Sequence, residues 1–140
     1  MIILDTNIVS VLVTPDHADL AIIQAWMGSS PDQNYRLTAI TLGEIAYGVA
    51  LLPDGARKKR LTEAVAEFFA ASSHLTLPFG DAEAMAYGPI MAGRRRLGRP
   101  ISSLAAQIAA IAQVAEATVA TRDAGGFRDC GVAVVNPYAA

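Results

Sequence analysis

Short apolar runs alternate along this chain with longer segments of helical periodicity, and this alternation constrains the fold more than any other feature. Strands separated by helices are typical of a mostly parallel central sheet with helices on both faces. In such α/β sheets the ligand usually binds beyond the carboxyl ends of the strands. The sequence predicts strands at Ile2–Leu4, around Leu37–Ile40, and at Leu75–Leu77, Ala117–Ala120 and Val132–Val135.

Helical segments fill the gaps between these strands. They are predicted roughly at Leu20–Met27, Leu42–Leu51, Ala56–Ala71, Ala82–Leu97 and Leu104–Glu116. Gly88-Pro89 lies inside one of them and is expected to kink or divide that helix, because proline lacks the backbone donor. A length of 140 residues fits one domain, which we assign to residues 1–140, with no linker, repeat or low-complexity tract.

Composition narrows the class of protein. Hydrophobic residues make up 53% of the chain and charged residues 17%, which argues against disorder. Gln107, Gln113 and Glu116 interrupt the apolar stretches before they reach membrane-spanning length. The amino terminus has no basic segment of the secretory kind, and Cys130 is the only cysteine, so we expect a soluble cytoplasmic protein without a membrane association. With a net charge of −2, nucleic-acid binding would need a local basic patch.

Three acidic residues, Asp5, Glu44 and Asp123, are predicted near strand ends or helix starts at one edge of the sheet. Each has a purely structural alternative. Asp5 fits the N-cap of a helix that follows it. Glu44 fits a capping box with Thr41 as the N-cap. Asp123 fits the start of a glycine turn.

If the three carboxylates converge, their chemistry points to a divalent cation. Carboxylates without a cation repel one another, whereas Mg²⁺ or Mn²⁺ neutralises them and prefers oxygen ligands. A metal held in this way activates water for the hydrolysis of a phosphodiester. Other schemes have less support, because the chain lacks a phosphate-binding glycine loop and because His17 and His74 are isolated from further histidines.

The sequence resembles a known family. The resemblance is carried by the blocks MIILDTN, TLGEIAYGVALLPDGARKKRL, GRPISSLAAQIAAIA, TVATRDAGGF and GVAVVNPY, which together look like a PIN-domain ribonuclease of the VapC toxin class, in its FitB-like branch. It implies that Asp5, Glu44 and Asp123 are the first, second and fourth acidic metal-site residues, with Asn7 and Thr121 as supporting polar groups. It also implies a Mg²⁺- or Mn²⁺-dependent endoribonuclease held inactive by a cognate VapB-like antitoxin.

The chain departs from this family at Ala105, where FitB-like relatives usually carry aspartate. We expect the fold to survive, because alanine is an excellent helix former and Ser102 or Ser103 remains to cap the helix. We expect weaker metal binding and lower activity, since even the loss of a residue that only supports a metal ligand typically lowers metal affinity or activity about 10–100-fold. Three functions stay open: a nuclease impaired by Ala105, an active nuclease that manages without this acid, and a non-catalytic module that binds antitoxin or RNA.

Two further features concern partners. Arg94, Arg95 and Arg96 form a dense basic cluster that is a candidate for RNA contact, although cations at a helix C-terminus also complement the helix dipole. The substrate class would be tRNA or another structured RNA.

The apolar segments Ile45–Leu52 and Leu61–Phe69 are candidates for a groove that accepts an antitoxin helix, or for the core alone. The resemblance favours antitoxin contact there and a homodimer.

Overall fold

The protein is built around a central parallel sheet. Its computed structural model describes residues 1–139. Within that range a five-stranded parallel sheet has the order β3-β2-β1-β4-β5. The strands are β1 (Ile2–Leu4), β2 (Tyr35–Thr38), β3 (Thr76–Leu77), β4 (Thr118–Ala120) and β5 (Ala133–Val135). The strand order reverses between β1 and β4, and ligands of open α/β sheets bind outside the carboxyl ends of strands at such a switch point.

Six α-helices cover the sheet in the described part of the chain. They are α1 (Thr6–Val13), α2 (Leu20–Gly28), α3 (Ala39–Ala50), α4 (Ala56–Ser72), α5 (Asp81–Arg96) and α6 (Ser103–Val114). Short 3₁₀ turns lie at Ser73–Leu75, Ala124–Phe127 and Pro137–Ala139. Of the helices over residues 1–139, none combines the length and the hydropathy needed to cross a bilayer.

The hydrophobic core has two halves, one on each face of the sheet. Successive side chains of a strand point to opposite faces. Accordingly Ile3 packs with α5 and α6 through residues such as Ile90 and Ile108, whereas Leu4 packs with α1 and α2 through Ile8 and Ile23. The predicted α/β architecture with helices on both faces is confirmed.

The boundary between β2 and α3 differs from the prediction. The strand ends at Thr38 and the helix begins at Ala39, so Ile40 is helical rather than extended. Thr38 is the N-cap, and its hydroxyl accepts a 3.1 Å hydrogen bond from the backbone N–H of Thr41. The predicted capping box of Thr41 and Glu44 is therefore wrong, because the helix has already begun before Thr41.

Gly88-Pro89 does not divide the helix, since α5 continues from Asp81 to Arg96 with Pro89 inside it, and the predicted division is wrong. Proline removes the helical donor to the carbonyl four residues earlier, which belongs to Met85. Met85 is 79% exposed and Pro89 is exposed as well. Water can therefore satisfy this carbonyl. The other predicted boundaries agree with the structure to within one or two residues.

Candidate functional site

A cleft of about 410 Å³ lies beyond the carboxyl ends of β1 and β4. All three carboxylates singled out in the sequence line it, and so does Ala105, where the family resemblance implies an acid. The lining includes Asp5, Asn7, Glu44, Ala105, Asp123 and Gly126. The structure therefore brings together residues from four separate parts of the chain.

Asp5 is the most enclosed acid of the cleft, with 8% of its surface exposed. Its Oδ1 accepts a 2.8 Å hydrogen bond from the backbone N–H of Thr6, so it caps α1. Burial raises the pKa of Asp5 above its usual value of 3.8, and the charges of Glu44 and Asp123 raise this pKa further. Hydrogen bonds from Thr121 and Thr6 act in the opposite direction. The capping role and a role in the cleft are thus compatible.

Thr121 connects the polar groups at the floor of the cleft, and it is fully buried. Its hydroxyl donates a 2.8 Å hydrogen bond to Asp5 Oδ2. The Thr121 hydroxyl oxygen itself accepts hydrogen bonds from Asn7 Nδ2 at 3.1 Å and from the backbone N–H of Asp123 at 3.0 Å. Asn7 Oδ1 in turn accepts a 3.2 Å hydrogen bond from the backbone N–H of Arg122. These bonds tie the segment after β1 to the segment after β4.

Glu44 reaches the cleft from the interior of α3. Its Oε1 accepts a 2.7 Å hydrogen bond from the hydroxyl of Thr6, which also lies 3.0 Å from the hydroxyl of Thr41. Thr6 was not among the predicted site residues. The available signal was its position in the first turn of α1, directly after Asp5.

Asp123 is exposed at the rim of the cleft, and it begins the turn that leads into two glycines. Its Oδ1 accepts a 3.1 Å hydrogen bond from the backbone N–H of Gly126. A Cβ atom on Gly126 would stand only 2.5 Å from Asp123 Oδ2. Position 126 therefore requires glycine for this orientation of the carboxylate.

Ala105 lies in the first turn of α6, half-buried and on the wall of the cleft. Its backbone N–H donates a 3.2 Å hydrogen bond to the hydroxyl of Ser102, which is the N-cap of the helix. The helix start is therefore intact without an acid at this position.

The oxygen ligands in the cleft are of the type that a hard cation prefers, but too few of them lie close together. Carboxylate and hydroxyl oxygens are the ligands that Mg²⁺ and Mn²⁺ prefer. Within residues 1–139, however, no three Asp, Glu, His or Cys side chains stand close enough together to form a ready-made metal site. Repulsion between unneutralised carboxylates favours such a separation. The cleft is thus an acidic site with an incomplete ligand set.

The three arginines of the basic cluster have different environments. Arg94 is only 5% exposed, and its guanidinium donates to the backbone carbonyls of Arg99, Gly126 and Arg128. Arg95 and Arg96 are exposed at the end of α5. Arg94 is therefore part of the interior, and only its two neighbours are available to an external ligand.

Comparison with known proteins identifies the family of this chain. A family model described as PIN domain matches residues 2–132. The toxin FitB of Neisseria gonorrhoeae is 37% identical over 142 residues, covering 99% of both chains. The VapC ribonuclease Y4jK of Sinorhizobium fredii is 33% identical, covering 99% of this chain and 98% of that protein. A structure of FitAB bound to an IR36 DNA fragment superposes with a TM-score of 0.86 at 36% identity, covering 99% of this chain and 96% of that one. The chain described here belongs to the PIN-domain family.

Proposed function

We propose that this chain is the toxin of a toxin–antitoxin pair, an endoribonuclease that hydrolyses RNA phosphodiesters with Mg²⁺ or Mn²⁺. The observation that carries the proposal is the convergence of Asp5, Glu44 and Asp123 on one cleft at the switch point of the sheet. Two relatives that match nearly the whole chain support it, since one is a toxin and the other a ribonuclease.

Asp5, Glu44 and Asp123 are the residues that would hold the metal. A bound divalent cation lowers the pKa of a coordinated water and stabilises negative charge on a phosphate. The protein supplies orientation. Thr6 holds Glu44 from one side, and Thr121, supported by Asn7, holds Asp5 from the other.

Ala105 is the weak point of this site. It stands in the first turn of α6, on the cleft wall, where an aspartate would add a fourth carboxylate and would also face the positive end of the helix dipole. We therefore expect this chain to bind metal weakly and to cleave RNA at least about 10–100-fold more slowly than its Ala105→Asp variant.

The experiment is cleavage of structured RNAs, including tRNA, in Mg²⁺ and in Mn²⁺. It compares this chain with Ala105→Asp, with Ala105→Asn as the uncharged control of similar size, and with Ala105→Asp combined with Asp5→Asn. Cleavage by Ala105→Asp alone would support a four-carboxylate nuclease. Equal cleavage by the unchanged chain would show that Ala105 is no defect.

A second candidate function is a non-catalytic PIN module that binds antitoxin or RNA, and the observation that favours it is the alanine at position 105 on the wall of the cleft. In that case RNA binds without being cleaved, and Ala105→Asp does not change this. Arg95 and Arg96 are our candidates for phosphate contact in either function. Arg94 is withdrawn from that role, because its guanidinium is buried.

A groove between α1, α3 and α4 is our candidate site for a VapB-like antitoxin. It has a volume of about 270 Å³, and its apolar lining includes Ile45, Val49, Leu61 and Val65. Glu44 lines the groove as well as the cleft, so an occupant would lie directly beside the acidic site. An amphipathic helix is the occupant that such a groove fits.

A second surface of α3 is our candidate for a homodimer. There a cavity of about 460 Å³ is lined by Ile40, Gly43, Tyr47 and Leu104 among others, and it shares Glu44 with the groove. Tyr47 is 66% exposed and Leu104 is 44% exposed, which is unusual for large apolar side chains that serve only the core.

Two glycines of α3 allow the two surfaces to be tested separately. Gly48 lines the groove and Gly43 lines the cavity, and a Cβ atom at either position meets no other atom within 4 Å. We expect Gly48→Gln to weaken co-purification of the co-expressed cognate antitoxin while leaving the dimer intact. We expect Gly43→Gln to do the reverse in size-exclusion chromatography with light scattering. The same effect from both variants would contradict this assignment.

A further inference from the structure

Arg94 is a buried cation whose position no ion pair explains. It lies in the last turn of α5 with 5% of its surface exposed, whereas Arg95 and Arg96 beside it are exposed. None of the ion pairs found within residues 1–139 involves Arg94. A buried charge is costly unless hydrogen bonds satisfy it. Favourable interaction with the helix dipole would not require burial.

Backbone carbonyls satisfy the guanidinium. Nε donates to the carbonyl of Arg99 at 2.7 Å, in the connection between α5 and α6. Nη1 donates to the carbonyls of Gly126 at 2.9 Å and Arg128 at 2.8 Å. Nη1 also lies 3.7 Å from the buried thiol of Cys130. The side chain thereby joins α5 to the loop between β4 and β5, which carries Asp123.

One residue of that loop links the cation to the acidic site. The carbonyl of Gly126 accepts from Arg94. The N–H of Gly126 is shared at 3.1 Å between Asp123 Oδ1 and the backbone carbonyl of Asp123. A Cβ atom at position 126 would stand 2.5 Å from Asp123 Oδ2, so a side chain there would displace the carboxylate from this orientation. The path from Arg94 to the carboxylate of Asp123 therefore runs through a single glycine.

We infer that Arg94 is a positioning residue for Asp123, anchoring Gly126 so that its N–H orients the carboxylate toward the cleft. As far as the carboxylate serves a metal ion, this inference rests on the proposed function. Lysine cannot replace Arg94, because its single ammonium lacks the planar arrangement of donors that reaches several carbonyls at once.

The first test is amide hydrogen exchange by NMR on the metal-free chain. In Arg94→Lys we expect the Gly126 amide to exchange at least about tenfold faster, while the buried Val119 amide of β4 stays unchanged. Arg99→Gln is the matched control, since it removes an exposed ion pair to Asp129 in the same loop. Unchanged exchange at Gly126, or an equal acceleration at Val119, would overturn the inference.

The second test is a double-mutant cycle on the dissociation constant of Mn²⁺ alone, measured by electron paramagnetic resonance. We expect Arg94→Lys to weaken Mn²⁺ binding about tenfold, and to have little further effect once Asp123→Asn is present. Additive losses would show that Arg94 does not act through Asp123 and would overturn the inference. If the unchanged chain binds no Mn²⁺, the proposed metal site fails, and the exchange data alone decide the role of Arg94.

Discussion

Thr121 donates a 2.8 Å hydrogen bond to Asp5, although 116 positions separate the two residues in the sequence. They meet because each directly follows one of two paired central strands, in which Leu4 is the partner of Ala120. The backbone N–H of Asp5 also bonds to the carbonyl of Ala120 at 2.9 Å. This contact joins the two strand ends across the switch point of the sheet.

Replacing Thr121 with valine should raise the pKa of Asp5 further. The hydroxyl lowers this pKa by bonding to the carboxylate, whereas burial raises it. Valine has a similar shape but leaves buried partners unpaired, so we also expect unfolding to become easier by about 1–3 kcal/mol. Carbon-13 NMR titration of the Asp5 carboxyl measures the pKa. Thr121→Ser keeps the hydroxyl and is the control; the same shift in both variants would contradict this explanation.

Asp5→Asn should stabilise the metal-free protein at neutral pH. The pKa of Asp5 is raised in the folded state, so the folded protein binds more protons than the unfolded chain above about pH 3.8. The stabilisation from Asp5 is therefore complete below that pH and is lost as pH rises through the raised pKa. Asparagine does not ionise, so the variant avoids this fall in stability, and asparagine is still a good N-cap.

Urea denaturation of both proteins across this pH range measures the effect. The two curves should converge at low pH and separate as pH rises, with the variant more stable at pH 7. Mn²⁺ should then stabilise the unchanged chain alone. If Asp5→Asn were less stable than the unchanged chain at pH 7, the charged carboxylate of Asp5 would not be destabilising the folded protein.

Replacing Arg95 with alanine should flatten the salt dependence of RNA affinity. Each phosphate contact that is lost reduces the slope of log affinity against log salt by about 0.7 for a single strand. Lys59 on α4 is exposed and serves as the matched control. Fluorescence anisotropy with a labelled RNA over a range of salt concentrations gives the slope. An unchanged slope in Arg95→Ala would remove this residue from the interface.

Thr38→Ala should destabilise the protein by about 0.5–2 kcal/mol, because it removes the N-cap of α3. Thr62→Ala on α4 is the control: its hydroxyl is exposed and bonds only to the carbonyl of Lys58, so a change within about 0.5 kcal/mol is expected. Chemical denaturation measures both. Equal losses in the two variants would mean that Thr38 contributes no more than a surface hydroxyl.

Much of the fold could be predicted because its signals are local. Apolar strands and helical periodicity predicted the sheet, and the residue types after β1 and β4 predicted where acidic groups would stand. The two errors, at Thr38 and at Pro89, arose where local signals compete. Thr38 and Thr41 are both plausible caps. The structure favours Thr38, which pairs with Leu77 of β3 and so stays extended directly before the helix begins. Pro89 is tolerated because the surface near Met85 is open to water.

The class of fold, the family resemblance and the alanine at position 105 could all be recognised in the sequence, because each depends on residue type and order along the chain. Which polar groups touch became visible only in the folded structure. Thr6 holds Glu44, Thr121 holds Asp5, and Arg94 turns inward to a loop more than thirty positions away instead of outward to a ligand. The physical reason is that strand register and helix packing set these distances, and a pattern of single residues carries no information on either.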